Sequence, residues 1–446
     1  MSPACRSGYG HGVLSTADML LPDPSEVSRR EYLKAAVAVG GATGLSACLD
    51  ILDEQTVPSG AEDPSTLPTR QHAWNAVLDT DDDSNREPPR HHVLSPLEYV
   101  RDGPPDDAGR DTVETALRTL ERAYEWSHEG LLFTIGYSPA YFDRFDADLP
   151  ESVDLPYPEP LSSLEEPMLD DADAILHLAS DVPSVPLAAE EALFGEADTV
   201  NDVDVDTDLS GVFKRTGRRP GFVGEGLPAE NQDVQGIPDS EPVPEEAALF
   251  MGFRSIFERN QATEDRVTIK EGPFADGTTQ HVETDRLQLQ PWYEQDSHYQ
   301  RVAKMFSPEH AKDELVGEVG EKLENSARIT DEIIDHIEQD AHKYGMVGHA
   351  QKVARGREDG QPLLLRRDFN TTDGDRAGLH FLSLQRRISD FIRTRELMNG
   401  EQLATDTAVG QRLNNGILQY VFVERRGSFL IPPRPHRALP EATPDP

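Results

Sequence analysis

Short apolar runs set between amphipathic stretches constrain this chain more than any other feature. Leu131–Tyr137, Ala174–Ser180, Gly378–Leu384 and Ile417–Val423 are too short for buried helices and rich in branched and aromatic residues. Each therefore predicts a buried strand, and Arg286–Gln290 is a further candidate. Between them lie helical patterns. Val113, Leu117, Leu120 and Tyr124 share one face after an acidic capping-box sequence, Asp111–Glu114. Ile333, Ile334, Ile337, Ala341 and Tyr344 form a stripe over Thr330–Tyr344, with Gly345 placed to close it. The alternation gives an α+β chain. The glycine-rich stretch Gly221–Gly226 lacks the Lys-Ser/Thr of a phosphate loop and is read as connection.

Composition divides the chain further. Residues 71–195 and 248–440 alternate strand and helix patterns, and residues 196–247 form an acidic Gly/Pro-rich loop between these halves. The 82 acidic residues outnumber the 42 basic ones, for a net charge of −40. Such an excess repels nucleic acid and anionic membrane surfaces. Because the acids are spread along the chain, they read as a solvated surface suited to very high salt, where screening removes self-repulsion. The two cysteines, Cys5 and Cys48, precede the folded region, which excludes a disulfide framework, a cysteine metal site and thiol catalysis.

Residues 1–48 read as an export leader. Ser28-Arg29-Arg30-Glu31-Tyr32-Leu33-Lys34 is a twin-arginine signature, followed by an apolar run, residues 35–47, that falls short of the ~20 residues of a membrane span. Leu45-Ser46-Ala47-Cys48 has the form of a lipoprotein cleavage box, and Met19 is a second candidate start. A protein exported this way ends at the cell surface or outside it, with the membrane touched only through a lipid at Cys48. Residues 49–70, rich in Pro, Ser, Asp and Glu, read as a flexible tether.

Several segments, in order, resemble the dye-decolourising (DyP-type) haem peroxidase superfamily. Leu132–Pro139 with Phe142-Asp143 and Asp171–Ala179 are similar to first-half segments of that family. In the second half, His349–Lys352 followed by Leu364–Arg367 is similar to its pairing of proximal histidine and distal arginine. Gly378–Arg386 and Asn415–Phe422 resemble its last core strands. The matches run from about residue 130 to 430. The resemblance is to a divergent, exported member with a halophile's composition. It implies two ferredoxin-like halves with antiparallel sheets, as in the dimeric α+β barrel superfamily, and one haem b in the second half. It also implies hydrogen peroxide and an organic reductant as partners; homo-oligomer formation is left open.

The same resemblance assigns the site. His349 would hold the haem iron through a neutral imidazole, with an acidic partner expected at its other ring nitrogen. Arg366 would sit on the peroxide side, where a fixed guanidinium stabilises charge on the departing oxygen. Arg367, its neighbour along the strand, points the other way and is read as a surface residue. Two registers compete for the family's Gly-x-x-Asp-Gly acid. Gly252-Phe253-Arg254-Ser255 puts Ser255 in the acid's position, whereas Gly272–Gly277 offers Asp276 with one extra residue. The first is preferred, since Gly277–Val282 through Trp292-Tyr293 then resembles the family's next strand, and Asp276 becomes a turn residue. A serine cannot carry a proton near neutral pH, so Ser255 leaves a second function open beside an exported peroxidase: a haem-binding or iron-acquisition lipoprotein with weak turnover. Gln71–Asn75, with His72, and Arg90-His91-His92 are read as packing and polarity rather than a second metal site. Trp292, Tyr293 and Tyr420 are read as core aromatics.

Overall fold

The computed structural model describes residues 56–445. The leader, Cys48 and the start of the tether lie outside the described residues. In chain order, the elements that frame the molecule begin with β1 (His91–Tyr99), α1 (Asp107–Ala123), β2 (Leu132–Tyr137), β3 (Ala174–Ser180), α2 (Val185–Leu193) and β4 (Arg219–Phe222). The second half supplies β5 (Thr278–Leu287), α3 (His298–Met305), α4 (Ile337–Tyr344), α5 (His349–Val353), β6 (Leu365–Arg366), β7 (Phe369–Thr371), β8 (Gly378–Gln385), α6 (Ile388–Asn399) and β9 (Val421–Ile431).

Among the described residues eleven of thirteen strands form one sheet, almost wholly antiparallel, and the other two, Thr199–Val200 and Val203–Asp204, pair with each other, so the fold is α+β as expected. β1, β3 and β2 come from the first half, β4 from the connection between the halves, and β7, β8, β5 and β9 from the second. Two narrow seams join them: Asn370 pairs with Phe222, and Leu430 with Tyr137. The circuit of pairings therefore closes into a barrel. Its interior is filled from both halves by Leu94, Ile175, Val282, Phe369, Leu382 and Phe429. Helices α1 and α2 cover the outer face of the first-half strands around Val113, Leu117, Leu120 and Leu187. In the second half the outer face turns toward a helical layer, and that gap holds the candidate site.

Several elements differ from the sequence expectations. Helix α1 starts at Asp107, because Asp106 supplies the capping oxygen to the Gly109 N–H at 2.8 Å, and Asp111 already lies inside it. The stretch Thr330–Tyr344 is two helices, Asp331–Asp335 and α4, meeting at His336, and Gly345 ends the second with φ 65°. Strand β9 begins at Val421, and β5 ends at Leu287, near the start of the expected strand Arg286–Gln290. Residues 196–247 hold two strands, β4 and Phe213–Arg215, that pair with β1, so this connection completes the barrel. Part of residues 49–70 is docked: the Gly60 N–H donates to the Arg122 carbonyl at 3.1 Å, and the Arg434 N–H to that of Thr69 at 2.7 Å.

His72 and His92 are fully buried, and among the described residues no cluster of three or more ligating side chains is placed to hold a metal ion. Burial pushes His72, His91 and His92 down to about 3, and His177 well below its usual 6.5. Such imidazoles are neutral in the fold but protonate near 6.5 once unfolded. Their stabilising contribution is complete above pH 6.5 and is lost as pH falls from there toward 3, at about 1.4 kcal/mol per histidine per pH unit. Among the described residues the raised carboxyls of Glu87, Asp285, Asp340, Asp368 and Asp390 act in the opposite sense, but nine histidines are held down against these five. Thermal denaturation should show the midpoint dropping steeply below pH 6.5, and less steeply in His92→Gln; a midpoint flat to pH 5 would contradict this.

Candidate functional site

The outer face of the second-half strands carries an unusual set of side chains. On a strand, residues two apart share a face. Glu283 and Asp285 of β5, Leu379 and Phe381 of β8, and Arg366, Asp368 and Asn370 along β6 and β7 therefore stand side by side; the register sets Glu283 opposite Phe381, Asp285 opposite Leu379 and Asn370 opposite Leu379. These residues line one side of a cavity of about 270 Å³. The opposite wall comes from the helical layer and its loops, with His349, Ala350 and Val353 of α5, Arg395 and Met398 of α6, and Ile417 and Leu418. The loop 249–257 supplies Phe253, Arg254 and Ser255.

His349 is the first residue of α5, and its position is fixed by backbone packing. Gly348 precedes it so closely to the end of α3 that an added Cβ would lie 1.8 Å from the Phe306 carbonyl oxygen. Gln351 braces the helix, donating to the Ile333 carbonyl and to Asp340 Oδ2 at 2.8 Å each. Lys352, also buried, donates to the Asn415 carbonyl and side-chain oxygens at 2.9 and 2.7 Å. Gly348→Ala should therefore destabilise the protein by about 1–3 kcal/mol, read as a lower thermal midpoint. An unchanged midpoint would mean α3 and α5 part without cost.

The imidazole of His349 makes no hydrogen bond or ion pair, and its Nδ1 is buried with no partner. Burial, then the positive charges of Lys352, Arg366 and Arg395, push it down to about 3, so the ring is neutral. The acidic partner expected at its second nitrogen is absent among the described residues, and the charges that act on the ring are cationic.

Arg366 donates its backbone N–H to Gln261 Oε1 at 2.9 Å, and its guanidinium lies 3.7 Å from Asp368. Asp368 is buried, and its Oδ1 accepts from the Leu382 N–H at 3.3 Å. Burial pushes its carboxyl up to about 6, against the opposing pull of Arg366. Asp285 is pushed well up by burial and by Glu283, and its Oδ1 has no partner. Glu283 meets the same burial, but His281, Arg426 and Arg395 outweigh it and hold the carboxyl at about 2.

Arg367 does face away from Arg366, but it is not on the surface. Its guanidinium stacks 3.9 Å from the Trp74 ring centroid and donates to the His72 carbonyl at 2.7 Å. The closed barrel makes the far face of this strand interior, which alternation alone cannot reveal. Ser255 lies on the cavity lining. Asp276 lies elsewhere, in a turn with φ 69°, paired to Arg70 at 2.8 Å. Trp292 and Tyr420 are buried and pack on one another 4.9 Å apart, off the cavity.

A family of unknown function, DUF7405, matches residues 89–433. The chain belongs to this family. Solved structures place the DUF7405 chain in the fold of the dye-decolourising peroxidases. DtpA from Streptomyces lividans is 17% identical with a TM-score of 0.52, covering 86% of this chain and 96% of its own. DyPB from Rhodococcus jostii RHA1 is 14% identical with a TM-score of 0.51, covering 82% and 97%. A variant of the Rhodococcus protein, 15% identical with a TM-score of 0.51 and covering 82% and 98%, is a complex with haem. Nothing among curated proteins matches the DUF7405 chain.

Sequence reasoning missed the carboxylates. The signal was present as spacing: Glu283 and Asp285, like Arg366 and Asp368, are two apart on strands and so share a face. What it lacked was knowledge that this face is the cavity wall.

Proposed function

We propose that this DUF7405 protein is an exported haem peroxidase that uses hydrogen peroxide to oxidise organic donors. The observation that carries the reading is a neutral, hydrogen-bond-free His349 on the helical wall of an apolar cavity whose sheet wall bears Arg366. The half-buried ring borders the cavity with no protein partner to compete for it, and a neutral imidazole there can ligate iron. The residues present fit a haem. Leu379, Phe381, Ile417 and Leu418 offer apolar surface to the macrocycle, and Arg254 and Arg357, on the same lining, offer cations to its carboxylates. Haem b, when bound, would supply the electrons that reduce peroxide.

The remaining chemistry belongs to the chain. Arg366 binds the peroxide and stabilises negative charge as it develops, because a guanidinium stays protonated at any relevant pH. The apolar lining excludes water and strengthens that interaction. Ser255 offers only a hydroxyl, which positions a proton but does not carry one near neutrality. The twin-arginine signature and Cys48 support export and a lipid tether, and the acidic composition supports work at high salt.

A second reading draws on two specific observations: Ser255 in place of an acid, and a His349 that no carboxylate makes more basic. Both favour a haem-binding or iron-acquisition lipoprotein of the same fold with little turnover. One experiment separates them. Purified protein titrated with haem should develop a Soret band at one haem per chain, and the loaded protein should oxidise a bulky dye only when peroxide is added. A Soret band without dye oxidation would leave the carrier reading, and no Soret band would end both.

A further inference from the structure

The cavity holds an arginine suited to peroxide, but the loop that should bring its acid brings Ser255. A carboxyl group stands elsewhere on the same wall. Asp368 follows Arg366 by two residues, shares its face of the sheet and lies 3.7 Å from its guanidinium. We propose that Asp368 is the proton carrier of this cavity, doing from the strand what Ser255 cannot do from the loop. The inference rests on the haem peroxidase reading.

Three observations support it. First, Asp368 is not consumed by structure. Its Oδ1 accepts one backbone N–H and its Oδ2 meets only Arg366, at more than hydrogen-bond length. By contrast, Asn370, the next residue on that face, accepts from the Phe250 N–H at 2.9 Å and donates to the Phe222 carbonyl at 3.0 Å. Second, Glu283 is bound to Arg426 and His281 and held ionised, so it cannot return a proton. Third, burial raises the Asp368 carboxyl to about 6, where both protonation states are accessible near neutrality. Asp285 is also buried and raised, but Arg366 stands beside Asp368. The titratable and charged groups that share the cavity lining with Asp368 are Arg366 two residues before it, Glu283 and Asp285 from β5, Arg395 from α6, His349 from α5, and Arg254 and Arg357 from the loops.

In the step assigned to it, the carboxylate takes one proton from the near oxygen of hydrogen peroxide and delivers it to the far oxygen. The O–O bond breaks with its electron pair on the far oxygen, which leaves as water carrying both protons. The two electrons that the near oxygen then lacks are those a bound haem supplies, and the organic donor later restores them.

The test compares wild type, Asp368→Asn, Asp368→Glu and Asp285→Asn, each loaded with haem and checked by its Soret band and thermal midpoint. Fluoride binding at equilibrium gives a readout independent of turnover, because the bound anion must share a proton held across the cavity. In wild type the fluoride affinity should be flat in acid and fall about tenfold per pH unit above the carboxyl's titration. In Asp368→Asn that break should vanish, and the rate of reaction with peroxide should fall by about 100-fold or more. Asp368→Glu should recover part of both. Adding Ser255→Asp to Asp368→Asn should also restore rate. Wild-type protein that takes haem but shows no break between about pH 5 and 7 would overturn the proposal even if Asp368→Asn failed to fold. So would a break lost in Asp285→Asn but kept in Asp368→Asn. Wild-type protein that takes no haem would instead remove the reading on which the proposal stands.

Discussion

Alanine at position 349 should leave a folded protein that no longer takes up haem. Removing outer partners of a metal ligand costs about 10–100-fold in affinity, so loss of the ligand itself should exceed about 100-fold, seen as a Soret band that fails to form in the titration that saturates wild type. The haem-free protein should behave differently from most core variants. An unpartnered buried polar atom costs about 1–3 kcal/mol, and His349 Nδ1 is such an atom. The ring already borders a cavity, so truncation there strips little packing. The apo variant should accordingly melt no lower than apo wild type, and its acid sensitivity should be smaller, because one imidazole held near 3 has gone. A variant that binds haem as wild type does would remove the basis of both functional readings. One that fails to fold would show that the imidazole has a structural partner after all.

The largest loss of stability is expected at Glu121. This residue lies on the buried side of α1 and its carboxylate joins the guanidinium groups of Arg434 and Arg437 near the chain's C-terminal end. Glu121 and Arg437 side chains are each 1% exposed. Arg437 also pairs with Glu114 at 3.0 Å, and its carbonyl accepts from the Tyr137 hydroxyl. Glu121→Leu keeps the volume and removes the charge, leaving two buried cations with one acid to share. Breaking a buried pair from one side costs about 3–5 kcal/mol. For a chain of this size that lowers the thermal midpoint by roughly 4–6 °C. Added salt should not rescue it, since the cluster is shielded from the screening that quiets the acidic surface. Arg118→Ala, which removes a half-exposed partner of Glu114 on the same helix, should cost less than about 1 kcal/mol and serves as the contrast. Equal losses in the two variants would mean that the buried cluster rearranges freely.

The site is legible in the sequence only in part. Short segments in the right order point to His349 and Arg366, and both border one cavity. The choice between Ser255 and Asp276 depends on the strand downstream of each residue, and the fold puts only Ser255 at the cavity. The carboxylates of β5 are hidden because Thr278–Leu287 is polar along its length. A strand buried on both faces usually reads as apolar, but here one face puts Glu283 and Asp285 on the polar sheet wall of an otherwise apolar cavity and the other meets the barrel interior.

Local chemistry along the chain set one part of this molecule. The runs Leu131–Tyr137, Ala174–Ser180 and Gly378–Leu384 became strands, the stripe through Val113, Leu117 and Leu120 became a buried helix face, and Gly345 ended a helix, because each depends on neighbours a few residues away. Tertiary structure alone decided the rest. Closure of the sheet through the Asn370–Phe222 and Leu430–Tyr137 seams gave every strand of the second half an inside and an outside. It buried Arg367 under Trp74, left His349 without an acid, and set Asp368 beside Arg366 on the cavity wall. Such outcomes depend on which segments meet across hundreds of residues, and burial, not residue type, then fixes each group's charge.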